Sequence, residues 1–536
     1  MNMGDEMRRL PTVVLLSGPI GAGKTVLAER LARRYGGDHV RTSALIAASS
    51  SGHPSRIDLQ RAGLGAVFQQ GEWLAEALSE RVTAAASGLV IIDSVRTLEQ
   101  VQACRRALTA PHRVVHVHLT AQPGLLAERF TCRLRKEDAG LSWQQAMQSP
   151  NEVAVATLAE IADFMVDTTP LTPADVAVLV SAYVHPQIRR SPNVDVLVGG
   201  QWGSEGKGNI AFALAPEYDL LVRVGAPNAG HKVRCHNGEI YTHRQLPSGT
   251  RATGAPVLLG PGTILDVNIL RQEISDCNLS PERLTIDPRA LIIEDEDVRQ
   301  EAELKKAIGS TGTGGGAAAA RRVMSRDEAR PVRTAQDIPD LAPYIGDSAE
   351  ILDHIGAHGT IFIEGTQGTG LSILHGSFPH VTSRDTTIGT LLADVGIAPQ
   401  SVRHVLTVFR TYPIRVGGQS GPMGREITWH TVAERSGIPV DELLSLERGS
   451  VSHNQRRVAE FDWEQLVSSV RLNGTTDIVL TFADYLDARN RSARRLEQLT
   501  PATLRFVEDI EMVTHLPVSF ISANFDERGP IDRRQW

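Results

Sequence analysis

Apolar residues in this chain fall into short uninterrupted runs, separated by stretches where they recur every three or four positions. Residues 13–16, 89–92 and 114–119 have the length and β-branched content of buried strands, while 28–35 and 98–107 carry helical spacing. This alternation, from residue 11 to about 184, predicts a parallel sheet with helices on both faces. The segment 185–193, with Pro186, Pro192 and two arginines, breaks it. From Val194 the alternation restarts and runs to the C-terminus. A chain of 536 residues exceeds what one core supports, so two or more domains are expected. The predicted division is 1–185, a linker at 186–193, and 194–536. The predicted fold class is α/β, with two P-loop-like domains whose mainly parallel sheets are flanked by helices.

Each predicted domain opens on a strand followed by a glycine-rich turn. The first turn, Gly18-Pro-Ile-Gly21-Ala-Gly23-Lys24-Thr25, is a complete P-loop between a strand and a helix. Its backbone N–H groups would cradle phosphates, Lys24 would reach the β/γ-phosphates, and Thr25 would hold Mg²⁺. Asp93 ends the strand 89–92, where a second metal-orienting carboxylate belongs. Arg129, Arg133 and Arg135 form either a basic lid over phosphates or a solvated helix face. This region resembles the nucleoside-monophosphate-kinase-like P-loop group. A working nucleotide kinase and a degenerate domain kept for assembly both remain open.

The second turn, Gly-Gly-Gln-Trp-Gly203-Ser204-Glu-Gly206-Lys207-Gly208-Asn over 199–209, follows the apolar run 194–198 and precedes another at 210–214 that reads as a helix start. Strand, glycine turn and helix again describe a phosphate site, but with different spacing. Another glycine-rich stretch, 309–320, reads either as a flexible linker or as a loop closing on a ligand. Its charged, helical flanks favour the loop.

Four more stretches follow the second turn in order: Asn228-Ala-Gly230-His231; Leu246-Pro-Ser-Gly249; Glu364-Gly-Thr-Gln367-Gly368; and His375-Gly with Val381-Thr382-Ser383 and Asp385-Thr-Thr387. Together, over 194–536, they resemble the adenylosuccinate synthetase family. The resemblance implies a two-step ligation. A nucleoside triphosphate, ATP or GTP, phosphorylates O6 of a 6-oxopurine nucleotide with Mg²⁺, and the amine of L-aspartate then displaces that phosphate. It implies catalytic roles for Ser204, Lys207, His231 and Gln367. Donor phosphates would be held by Gly203, Gly206, Lys207, Gly208, Gly230, His231 and Lys232, with Ser204 and Gly230 near the metal. Phe482, Asp484 and Ser522 would hold the donor base. Asn228, Ser310, Thr311, Gln367 and Thr382 would hold the purine monophosphate, with Arg321 or Arg322 crossing a homodimer interface. Gln455, Arg456 and Arg457 would bind aspartate.

Three positions depart from the family pattern. Ser204 stands where Gly-Asp-Glu-Gly-Lys-Gly has the aspartate that takes the purine N1 proton, and a serine hydroxyl is a poor base at neutral pH. The site is dead, another group takes the proton, or the substrate differs. A smaller neutral side chain beside N1 leaves room for the C2 amino group of guanine, and Gly-Ser-Glu-Gly-Lys-Gly resembles a branch known from phages that build diaminopurine DNA. That favours dGMP or GMP as acceptor, with IMP as the alternative and a non-catalytic nucleotide sensor as a further one. Counting back from Phe461-Asp462, Gln455 falls where the family has an arginine that also contacts a ribose hydroxyl, which favours a 2′-deoxy substrate. Phe482 replaces a lysine that covers guanine, so ATP is at least as well suited as GTP.

Composition narrows the partners. A net charge of −7 gives no support to a non-specific nucleic-acid binder. Cys104, Cys132, Cys235 and Cys277 are far apart and form no Cys-x-x-Cys pair, which argues against structural zinc and fits a reduced, cytoplasmic setting. The first ten residues do not read as a signal peptide, and no apolar stretch approaches a membrane span.

Overall fold

The computed structural model describes residues 12–35, 37–48, 73–76, 78, 82, 89–108, 113–132, 142–184, 192–235, 237–326, 331–356, 359–448, 454–524 and 529–536. The chain divides into two compact units, 1–189 and 190–536. The division falls within the predicted linker, most of which lies outside the described residues.

The first unit holds a five-stranded parallel sheet in the order Asp38–Arg41, Leu89–Asp93, Thr12–Ser17, Arg113–Thr120, Phe164–Asp167. Its central strand is apolar from Val13 to Leu16 because it is buried on both faces, with Val14 and Leu16 in one core and Val13 and Leu15 in the other. The expected helix at 28–35 begins earlier, at Lys24, and spans Lys24–Tyr35. Leu98–Ala107 forms as expected, capped by the Thr97 side chain, which accepts from the N–H of Gln100.

The second unit is built on a nine-stranded sheet in the order Leu284–Ile286, Val257–Leu259, Leu220–Arg223, Ile361–Glu364, Val194–Gly199, Val402–Arg410, Asp477–Thr481, Val518–Ile521, Ile531–Asp532. Every pairing is parallel except the last. Apolar side chains of Val194, Val196 and Val198 pack on one face and Leu197 on the other. Register places Glu364 beside both Leu197 and Arg223, Gly199 beside Val408, and Arg410 beside Thr481. These charged and glycine residues therefore gather at the carboxyl ends of adjacent strands, where open parallel sheets bind ligands.

Two expectations need correction. The helix after the second turn starts at Lys207, not at Ile210, and runs Lys207–Leu214. The glycine-rich stretch 309–320 is only half loop: Gly309 terminates the helix Asp295–Ile308 and Gly315–Met324 is helical. The buried carboxylate of Glu301 draws these pieces together, accepting from the N–H groups of Gly314 and Ala317 at 2.8 and 3.1 Å and also from Gly316.

Candidate active site

In the first unit the P-loop lies between the end of the central strand and the helix that starts at Lys24. The Lys24 ammonium donates to the carbonyls of Gly18 and Pro19 at 2.7 and 2.8 Å, folding back over its own loop. Gly18, Gly21 and Gly23 all have positive φ, which only glycine adopts without strain. Asp93 lies in the neighbouring strand, with His39 Nε2 3.4 Å from its carboxylate. Burial works against its charge, but hydrogen bonds from His39 and Thr25 and the charge of Lys24 outweigh that and hold it ionised. The Arg129 guanidinium bonds the hydroxyl and carbonyl of Thr168. Arg133 and Arg135 lie outside the described residues.

The second turn carries its own carboxylate. Glu205 is 0% exposed and accepts from the N–H groups of Gln201 and Gly203 at 3.1 and 2.8 Å, which sets the shape of the turn. Its other oxygen receives Lys207 Nζ at 2.5 Å. A Cβ on Gly199 would sit 2.5 Å from the Gln367 carbonyl and 2.7 Å from Lys207 Nζ, so the lysine reaches inward only because residue 199 has no side chain. Gly203, Ser204 and Gly206 all have left-handed φ, and Gly206 precedes the first helical residue. The loop N–H groups and the helix N-terminus thus share one strained turn. Ser204 is exposed there, and its carbonyl accepts from Arg410 at 3.3 Å.

His231 begins the strand His231–Arg234 beside this helix. A Cβ on Gly208 would lie 3.0 Å from both His231 Cβ and the Lys232 carbonyl. His231 Nδ1 bonds Glu364, which also accepts from the N–H and hydroxyl of Ser248 at 2.6 and 2.5 Å. Arg223 stands 3.9 Å from the same carboxylate. Burial and the Arg223 charge push His231 down, whereas His231, Arg223 and Ser248 outweigh burial to hold Glu364 ionised. With Glu364 as the acceptor, Nδ1 is the donating nitrogen of this pair and Nε2 is left for a ligand. Gly230 is half-buried before His231, and the Lys232 side chain is exposed.

Three expected nucleotide-binding residues converge on one hydroxyl. Thr382 Oγ1 receives Gln367 Nε2 at 3.1 Å and Asn228 Nδ2 at 3.4 Å, while the buried Asn228 Oδ1 has no partner. Gln367 has φ of +61°, a strained turn that brings its amide to this point. Ser310 accepts from the Gly312 N–H, and Thr311 is half-buried beside it. The two candidate arginines differ: Arg321 is paired in fork geometry with Asp297, whereas Arg322, half-buried, bonds the Arg289 carbonyl.

Arg410 and Glu447, both buried, link the remaining parts. Arg410 Nη2 donates to Glu447 at 2.7 Å, and its guanidinium lies 4.0 Å over the Phe482 ring. Glu447 also accepts from the Tyr485 hydroxyl at 2.7 Å and Arg456 at 2.9 Å, and its carbonyl accepts from Gln455. Burial opposes the charge of Glu447, but Arg410 and Arg456 prevail and keep it ionised. Arg457 pairs instead with Glu426 and bonds Ser420 and Gly421. Asp484 is 3% exposed; one oxygen receives Arg491 Nε at 3.1 Å and the other has no partner. Ser522 sits across from it, its carbonyl accepting from the Ala483 N–H.

Sequence reasoning assigned no role to Glu205, Glu364, Arg223, Arg410, Glu447 or Arg491. The first two stood inside quoted motifs, and a carboxylate between glycines of a phosphate loop was a usable signal. Arg410, at the end of its strand, and Glu447, at the end of the helix Val440–Leu446, meet only in the folded chain, and nothing local marks them. Among the described residues no group of three or more His, Cys, Asp or Glu side chains is arranged as a metal centre, and no helix is long and apolar enough to cross a membrane. The four cysteines are free thiols.

Comparison with known proteins agrees with this geometry. A profile described as an AAA domain matches residues 13–149. The adenylosuccinate synthetase profile matches residues 196–337 and 327–491. The adenylosuccinate synthetase of Thermococcus onnurineus is 39% identical over 349 residues, 63% of this chain and 98% of that protein. That of Methanocaldococcus jannaschii is 38% identical over 349 residues, covering 63% and 96%. Among solved structures, the succinoaminodeoxyadenylate synthetase of cyanophage S-2L, bound to dGMP and to dATP as an energy donor, is similar at a TM-score of 0.53. It is 26% identical, over 64% of this chain and 96% of that one. Adenylosuccinate synthetase from Plasmodium falciparum shares the fold at a TM-score of 0.56 and 20% identity, over 64% of this chain and all of that one. With a P-loop, kinase-like unit preceding it in sequence, the second unit places the chain in the adenylosuccinate synthetase family of carbon–nitrogen ligases.

Proposed function

We propose that the second unit joins L-aspartate to C6 of a guanine nucleotide, dGMP or GMP, giving 2-amino-(deoxy)adenylosuccinate. The observation that carries this reading is the exposed Ser204 at the left-handed apex of the second turn, where the family places an aspartate. Likeness to the cyanophage enzyme with dGMP supports it. In the first step the donor's terminal phosphoryl group passes to the purine O6 as N1 gives up its proton. Ser204 is not the base; it leaves space for the C2 amino group, and water or the phosphate takes the proton. Lys207 exchanges Glu205 for the transferring phosphoryl oxygens. His231 Nε2, facing that negative charge, picks up a proton and becomes the acid, held from behind by ionised Glu364. In the second step the aspartate amine attacks C6 and inorganic phosphate leaves. Arg456 and Arg457, with Gln455 between their segment and Glu447, orient the aspartate carboxylates. Asn228, Gln367 and Thr382, with Ser310 and Thr311, hold the monophosphate, and Arg322, bonded to a backbone carbonyl and not in the Asp297 fork, is the arginine proposed to cross a homodimer interface.

Mg²⁺ suits hard oxygen donors, and both loops offer them: the Ser204 hydroxyl and Gly230 carbonyl in the second unit, and Thr25 beside the ionised Asp93 in the first. Bound there, it would neutralise phosphate charge. The first unit is proposed as a nucleotide kinase, and ATP or GTP serves as donor for the ligase. The test is incubation with ATP, L-aspartate, Mg²⁺ and either dGMP or IMP. Succinylated dGMP is the expected product; conversion of IMP with dGMP left intact would defeat the reading.

A further inference from the structure

We infer that Arg491 selects the donor base, occupying one oxygen of Asp484 so that the seat pairs with a base presenting a single amino group, adenine, and not with the two adjacent N–H groups of guanine. This rests on the ligase reading above and concerns the donor site of that same reaction. Asp484 lies three residues beyond the strand Asp477–Thr481 and two beyond Phe482, whose left-handed φ turns the chain sharply there. One oxygen of Asp484 is bonded by Arg491 Nε at 3.1 Å; the other is buried without a partner. Arg491 is not a loose surface side chain resting on the nearest carboxylate. Its Nη2 pairs with Glu442 at 2.7 Å, and its carbonyl accepts from Asn524 Nδ2 at 3.2 Å. Two carboxylates and a backbone tie fix it.

A free carboxylate pairs with guanine through both oxygens, accepting from N1–H and the C2 amino group side by side. With the Arg491 guanidinium fixed on one oxygen, a guanine donor approaching that oxygen meets another N–H group in place of a free acceptor, and leaving it unpaired in a buried seat costs about 1–3 kcal/mol, a factor of roughly 5 to 150 in affinity. Adenine presents one amino group to this edge, and the unpartnered oxygen satisfies it. The half-buried Phe482, with the Arg410 guanidinium 4.0 Å over its ring, is the aromatic group beside Asp484 on which a purine would stack.

The test uses the full chain with ATP, GTP and ITP as donors, in the presence of aspartate, Mg²⁺ and the accepted purine monophosphate. ITP has the guanine ring edge without the C2 amino group. The wild type is expected to use ATP at least tenfold better by kcat/KM than GTP, and to use ITP, which leaves no ring donor unpaired, better than GTP. Arg491→Ala is expected to lower KM for GTP by about tenfold and to restore preference for GTP over ITP, with little change in KM for ATP. If the wild type prefers GTP to ITP by tenfold or uses GTP as well as ATP, both oxygens are available and the inference fails; should Arg491→Ala not fold, this wild-type comparison decides alone. An Arg491→Ala protein that folds and keeps the wild-type ratios also overturns it. Absence of succinylated product with every donor defeats the ligase reading instead, a distinct outcome.

Discussion

Two phosphate loops in one chain solve the same problem with opposite electrostatics. Both follow a central parallel strand, and both lead into a helix whose first residue is the loop lysine. In the first, Lys24 folds onto neutral carbonyls of its own loop. In the second, Lys207 rests on a buried carboxylate that also shapes the turn. The first arrangement is the general one: a phosphate outcompetes a carbonyl for an ammonium with little loss. The second holds its lysine inside the sheet before any ligand arrives, at the cost of a buried carboxylate that must be satisfied when the lysine moves. Such a loop suits a reaction in which charge moves between partners, because the lysine is aimed at where charge develops.

That contrast can be broken most forcefully at the support behind the second loop. Arg410→Met leaves Glu447 buried against Arg456 and Tyr485 with one cation lost. The expected cost is about 3–5 kcal/mol, read by denaturant unfolding of the second unit. Arg96→Met in the first unit removes a partner of buried Glu152 from a side chain that is itself partly exposed, and should cost less. Equal losses would mean the two units do not differ in how they bury charge. Next in size, Lys207→Met should lower ligase kcat by about 10²–10³, while Lys24→Met leaves formation of the succinylated nucleotide unchanged. A comparable ligase loss in both variants would show that the loops do not work separately.

A smaller effect sharpens what the second loop recognises. Ser204→Asp returns the family carboxylate to the turn and fills the space beside the purine C2 position. The ratio of kcat/KM for dGMP over IMP should fall by about 10- to 100-fold, measured by competition between the two. An unchanged ratio would separate residue 204 from purine choice.

The fold was largely legible because the signals were local. The run 13–16 is apolar without alternation, and 194–198 is apolar apart from Asp195, whose buried carboxylate is paired with Arg403; this is what burial on both faces of a parallel sheet requires. The two glycine turns declared the strand–loop–helix junctions. Legibility ended where function depends on residues far apart in sequence. Glu364 lies 133 positions from His231, and Glu447 lies 37 from Arg410, so each pair appears only in the folded chain. The helix over 315–324 was obscured for another reason: its N-terminal glycines carry no helical signal, and Glu301, on another helix, supplies the acceptors that hold them. Arg321 and Arg322 are adjacent and alike in sequence, and only the placement of Asp297 distinguishes them.

The finest difference between the units concerns the carboxylate just beyond or at the end of a strand in each. Asp93 is held ionised by Thr25, His39 and Lys24, although burial opposes it. Asp484 has burial as its dominant influence, with Arg491 and then Arg410 only partly offsetting it, and its carboxyl is pushed up to about 7. The signs for stability are therefore opposite. Asp93 binds protons more weakly folded than unfolded, so its contribution is present at neutral pH and lost as pH falls below about 4. Asp484 binds its proton more tightly folded than unfolded. Its contribution is present below about 4, declines as pH rises, and is gone above about 7. Asp484→Asn removes that decline, so it should raise the melting temperature of the second unit by a few degrees, more at pH 8 than at pH 5. Asp93→Asn should lower that of the first unit at pH 7, with the difference shrinking under acid. Differential scanning calorimetry across this range reads both. A melting temperature for Asp484→Asn that tracks the wild type at every pH would mean that solvent reaches this carboxylate and its burial exerts no force.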